Sequence, residues 1–279
     1  MHIPIDWHSA PTCLQLIRWL LFISLTISSF QNLSNSTSFS SDGLLAWKYL
    51  KYAHPEKWMQ HPILDRLFGQ TGTITVNLAR LGLLAAGFTN HGLPLVLTAL
   101  LLTSALLYIR AFLPMSAADQ LNTILLFCLT LNAWLTDLTT ITLFAITGQV
   151  LCCYFLNGLL KAKAKKWWNG AHLKDVLQTE NYSRKWLANF VSKTPGSTFR
   201  LPGRLIVIWE LSAIIAPLLP PALLWVYLGI GIAFHLSNAV FMGLNTFFWS
   251  FISTYPAILF THYHLFALYH LGCFSRCAA

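Results

Sequence analysis

The chain has 279 residues, 56% of them hydrophobic and 10% charged, against about 25% charged in a soluble domain. So little polar surface cannot cover a soluble globule. The net charge of +9 does not indicate nucleic acid, because ten of the eighteen Lys and Arg lie between Lys161 and Arg204 and four between Lys48 and Arg66, the clustering that orients membrane proteins against anionic lipid.

A hydrocarbon layer about 30 Å thick needs roughly 20 apolar residues in helical form. The apolar runs are rich in Leu, Ile and Ala, and they lack the period-two alternation of barrel strands. Helices are therefore predicted throughout. The first covers 11–30 and carries Arg18. A mixed loop follows at 42–69, where Trp47, Tyr49, Tyr52 and Trp58 stand among lysines, a composition suited to the headgroup layer. Two helices, 73–88 and 93–112, turn at Asn90-His91-Gly92, and a tight pair, 121–135 and 139–160, turns at Thr136-Asp137.

The one large polar segment, 161–204, opens with four lysines and Trp167-Trp168. Within it the spacing of Leu173, Val176, Leu177, Leu187 and Phe190 predicts an amphipathic helix lying on the membrane surface. Three further spans are predicted at 205–219, 222–241 and 243–260, with a short tail at 261–279. The expectation is an all-α, polytopic transmembrane helical bundle of about eight spans. It forms a single integral membrane domain, multi-pass, in the inner membrane if the source is bacterial.

Ionisable residues at membrane depth are costly and are functional candidates by default. Arg18 and Arg80 fall inside apolar runs, and Arg110 and Asp119 flank one turn as a candidate ion pair. Gln149, Cys153, Asn157 and Lys161 recur at steps of four, a stripe that slowly wraps one face. Glu210 is the one acidic residue in the last three predicted spans and needs a partner. His235, Asn238, Met242 and Asn245 share one helical face. That face reads either as interhelical hydrogen bonding or as the wall of a polar cavity for a headgroup or quinone oxygen. Lys161 reads either as a snorkelling side chain or as a desolvated base. No metal-ligand spacing and no nucleotide-binding loop is present.

The order of these features resembles a known family. Arg110 and Asp119 come first, then Gln149 ahead of Tyr154-Phe155-Leu156-Asn157-Gly158-Leu159-Leu160-Lys161, then Trp167-Trp168-Asn169-Gly170-Ala171, and finally Glu210 and Phe234-His235. This is similar to the HTTM membrane domain, the transmembrane part shared by vitamin K-dependent gamma-carboxylase and many bacterial proteins, over roughly Arg18 to Phe260. The resemblance implies Lys161 as the base toward a reduced quinone and His235 as a second site residue. Gln149, Asn157 and Asn238 would stand beside the cofactor, while Arg110, Asp119 and Glu210 hold the helices. Carbon dioxide and oxygen would be co-substrates, and a peptide glutamate the acceptor. Small stand-alone members are similar instead to the membrane component of the sporulation-delaying toxin system. That leaves a non-enzymatic scaffold, immunity or export role open, with membrane lipids and a small peptide or protein as partners. The family topology places the N-terminus in the cytosol, whereas the charge distribution places both basic loops there and the N-terminus outside.

Overall fold

The computed structural model describes residues 6–53, 56–111, 116–179 and 183–277, with side chains as far as 267. Every regular element among them is helical. The chain divides into two compact units, residues 18–138 and residues 1–17 with 139–279.

The unit formed by residues 18–138 holds most of α1 (Ala10–Ser34), the short helices α2 (Trp47–Ala53) and α3 (Pro62–Phe68), and then α4 (Gln70–Gly87), α5 (Leu93–Ala111) and α6 (Ala117–Trp134). Trp47, Met59 and Phe68 close a small core beneath α5. Helix α4 shows which solvent the unit is made for. Its buried residues are Thr73, Asn77, Arg80, Leu84 and Gly87, while Leu78 is 56% exposed. A helix with polar groups inside and leucine outside reverses the soluble pattern. Only a surrounding apolar medium rewards it.

The other unit contains α7 (Thr139–Lys163), α8 (Lys165–Trp168), α9 (Ala171–Gln178), α10 (Lys185–Lys193), α11 (Arg200–Leu211), α12 (Pro221–Met242), α13 (Asn245–Ile252) and α14 (Tyr255–Cys277). Helix α7 packs on α11 and α14, and α12 packs on α13. Helix α12 repeats the inverted pattern: Tyr227, Gly231 and His235 are buried, while Leu223, Val226, Ile230 and Leu236 face outward. Proline and glycine set the boundaries. Pro221 opens α12, and Gly243 at φ 72° ends it in the left-handed conformation that glycine adopts without steric cost. After α11 the chain tightens into a 3-10 segment, Ser212–Leu218, around Pro217, whose missing amide cannot continue an α-helix.

Five helical segments are long and apolar enough to cross a membrane among the described residues: Ala10–Ser34, Leu93–Ala111, Thr136–Lys163, Gly196–Leu218 and Pro221–Met242. The chain is a helical membrane protein. Two boundaries differ from expectation. The segment expected as one span at 243–260 is interrupted at Ser253 and Thr254, where Pro256 restarts the helix, and α14 carries the expected tail at 261–279 in helical form as far as Cys277. The amphipathic stretch at 173–191 is two helices, α9 and α10. Their apolar sides meet in a core of Leu187, Val191 and Phe199, with Leu173 and Leu177 packed against it.

Candidate functional site

A polar cluster in the unit containing α7 is built by side chains of α7, α11 and α12. Gly158 makes the approach of α7 to α11 possible. A Cβ at that position would lie 2.8 Å from the Leu211 amide nitrogen and 2.9 Å from the Glu210 Cβ. Three residues on, almost one helical turn, Lys161 reaches back along the same face and its Nζ donates to Glu210 Oε1 in a tight ion pair. The Glu210 side chain is 5% exposed and that of Lys161 21% exposed. The ammonium also sits 5.2 Å from the centre of the Trp167 ring, a cation–π contact. The Gly-x-x-Lys motif thus has a physical content: the glycine lets the acidic helix in, and the lysine meets its carboxylate.

His235 is 1% exposed, and its Nε2 and the Tyr154 hydroxyl share a 2.6 Å hydrogen bond. Its ring stacks on Phe251 at 4.5 Å and lies near Phe247, Phe234 and Trp209. Trp209 links the two halves of the site. It precedes Glu210 in α11, packs edge-on against Tyr154 at 5.0 Å and stacks on Tyr227 at 5.5 Å, and its carbonyl accepts from the Tyr227 hydroxyl at 3.1 Å. Gly231 leaves room for Tyr255, whose hydroxyl lies against it. Three buried polar atoms of this group have no partner among the described residues: Trp209 Nε1, Glu210 Oε2 and His235 Nδ1. Buried polar groups are nearly always paired, so three orphans in one cluster suit a polar guest.

The sequence-predicted residues divide. Lys161, Glu210 and His235 belong to the cluster, with Tyr154 and Trp209 between them. Gln149 and Asn157 bond within their own helix instead. Gln149 is half-buried and donates its amide to Cys153 Sγ, and the exposed Asn157 donates to the Cys153 carbonyl one turn back. Each amide gives an N–H to its own helix. Asn238 is half-buried on α12, and its backbone carbonyl accepts from the Leu244 amide at 3.3 Å.

Arg110 and Asp119 do not pair among the described residues. Arg110 donates Nε to the Phe68 carbonyl and Nη2 to that of Leu45, both at 2.9 Å, and lies over the Phe39 ring. Asp119 stands in the first turn of α6, where Ser116 caps its amide and donates a hydroxyl to its carboxylate. Local capping satisfies the helix start at lower entropic cost than a bridge across the turn.

Tyr154, Trp209, Tyr227 and Tyr255 were missed as site residues. The signal for Tyr154 was its spacing of seven from both Thr147 and Lys161, two turns of helix each way. Buried Thr147 meets Thr261 at 2.8 Å on that face.

No protein-family model matches the chain, and no curated protein or solved structure matches it. Fold and site together define a class, an all-helical membrane protein with a buried ion pair beside an aromatic-enclosed histidine.

Proposed function

We propose that the chain is a multi-pass integral membrane protein of about eight spans that carries out carboxylase-like chemistry on a peptide. The observation that supports the reading most is the Lys161–Glu210 pair. The lysine at the end of α7 turns inward to a buried carboxylate instead of snorkelling to the headgroups. The eight spans of this reading are α1, α4, α5, α6, α7, α11 with its 3-10 extension, α12, and α13 with α14. The membrane is the inner one if the source is bacterial.

In this reading Lys161 acts as a base once it is neutral, and Glu210, already in contact, is the group that takes its proton. Tyr154 holds His235 in one orientation, and Trp209 closes the wall beside it. The unpartnered Trp209 Nε1 and His235 Nδ1 are suited to a reduced quinone's oxygens, and Glu210 Oε2 to its hydroxyl. Such a quinol, when bound, would supply the reducing power by which oxygen yields a base strong enough for a peptide glutamate, to which carbon dioxide adds. The aromatic enclosure excludes water that would quench such a base.

A second reading, a non-enzymatic scaffold, immunity or export component, is favoured by the close packing of His235 against Phe251 and Phe247. Incubation of the purified protein with reduced quinone, labelled bicarbonate and a glutamate-containing peptide separates the two. The carboxylase reading expects incorporation of label that is lost in Lys161→Ala. Absence of label from native protein across several quinones and peptides sinks it and leaves the second.

A further inference from the structure

The unit formed by residues 18–138 buries three arginines, and they are not equally satisfied. Arg110 has two carbonyls and an aromatic ring, whereas Arg18 donates Nη2 to Asn90 Oδ1 at 2.6 Å and leaves its Nε without a partner among the described residues. Arg80 is 5% exposed, yet among the described residues its one hydrogen bond runs from Nη2 to the Ser104 hydroxyl at 3.1 Å, and its Nε has no partner. Ser104 is neutral and gives its own proton to the Leu100 carbonyl. Asp119 is the carboxylate whose field reaches Arg80, but its oxygen is engaged by Ser116 and no ion pair joins the two among the described residues.

Another buried orphan lies on α1. Ser29 of α1 is 0% exposed and its Oγ has no partner among the described residues. Helices α1 and α4 run antiparallel, in a register marked by Asn32 donating to Asn77 at 3.2 Å and by Phe22 against Gly87. Arg80 lies three residues beyond Asn77, and Ser29 three before Asn32. The same register therefore brings them level. Arg80 is ten residues from the start of α4 and seven from its end, about 15 and about 10 Å along the axis at 1.5 Å per residue.

A guanidinium moved from water into a low-dielectric interior needs a counter-charge, and one neutral hydroxyl is far short of that. We infer that Arg80 and Ser29 hold a small monovalent anion of halide size between α1, α4 and α5. The Arg80 Nε–H and the Ser29 hydroxyl both donate to it, which satisfies both orphans. Water in the same place would satisfy the hydrogen bonds but leave the positive charge uncompensated.

The test uses the full-length purified protein, with sodium gluconate replaced stepwise by sodium chloride or bromide at constant ionic strength while thermal unfolding is followed by intrinsic fluorescence. The expected result is a saturable rise of several degrees in the midpoint with either halide, because a ligand bound only by the folded state stabilises it by mass action. In Arg80→Gln the dependence is lost. In Ser29→Ala, which removes one oxygen and keeps the test decisive should Arg80→Gln fail to fold, the half-saturating halide concentration rises at least tenfold. A midpoint that ignores the identity of the anion overturns the proposal and leaves water as the occupant. A halide response in Ser29→Ala equal to that of the native protein overturns it as well.

Discussion

Gly158 and Glu210 lie so close that a methyl group on the glycine would come within 2.9 Å of the glutamate Cβ. That approach lets Lys161, at the end of α7, reach a carboxylate buried in α11. The consequences can be measured.

Gly158→Ala forces α7 and α11 apart, because the atoms it meets include the Leu211 backbone and cannot swing away. Overpacking of this kind costs about 1–3 kcal/mol. Gly148, in the same helix, has nothing within 4 Å of a Cβ. Gly148→Ala should therefore stabilise by about 0.5–1 kcal/mol through helix propensity. Thermal unfolding of the two variants should shift in opposite directions, and equal shifts would refute the close-approach argument.

Removing one member of the ion pair leaves the other buried. Lys161→Met strands the Glu210 carboxylate, at a cost of about 3–5 kcal/mol. The double variant Lys161→Met, Glu210→Leu leaves no stranded charge and should recover most of that loss. A double-mutant cycle on the unfolding midpoint reads the coupling directly, and additivity would mean that the pair does not hold in the folded protein.

Tyr154→Phe deletes the hydroxyl that shares a hydrogen bond with His235 Nε2. An unsatisfied buried nitrogen should cost about 1–3 kcal/mol. Adding His235→Phe removes the orphan along with its partner, so the double variant should be more stable than Tyr154→Phe alone. The comparison is again of unfolding midpoints. A double variant less stable than both singles would show that His235 has a further polar partner.

Phe190 is 65% exposed on α10, while Leu187 and Val191 of the same helix are buried. With Trp186 also exposed one turn earlier and lysines at both ends of α10, the helix is suited to the headgroup layer. A spin label at Phe190→Cys, in a background free of other cysteines, should show greater collision with oxygen than with a nickel chelate in vesicles. A label with the collision profile of free solution would place α10 away from the membrane.

The helical nature of the chain and its medium were legible in its sequence, because twenty-residue apolar runs leave the backbone no other way to satisfy itself in lipid. Boundaries set by local chemistry were legible for the same reason. The turns at Asn90-Gly92 and Pro220-Pro221 depend on residues that act on their own backbone.

Of the site, Lys161, Glu210 and His235 stood out because a charged or titratable group within an apolar run is conspicuous. Their partners did not. The stripe Gln149, Cys153, Asn157 is polar in composition, but it lies off the buried face, and its amides serve their own helix. The inward face carries Thr147, Tyr154 and Gly158, of which only the order around Lys161 hinted at a role.

The sequence by itself determined what is local: helix, turn, cap and the preference for lipid, each settled by a residue's own backbone and its near neighbours. Only the tertiary structure decided which polar groups meet. Lys161 and Glu210 are 49 residues apart in the chain, and Tyr154 and His235 are 81 apart. Whether such groups touch depends on which face each helix turns inward and how closely glycines let the helices approach. In lipid the inward face is marked by polarity and by small residues as much as by apolar bulk, so hydropathy alone does not single it out.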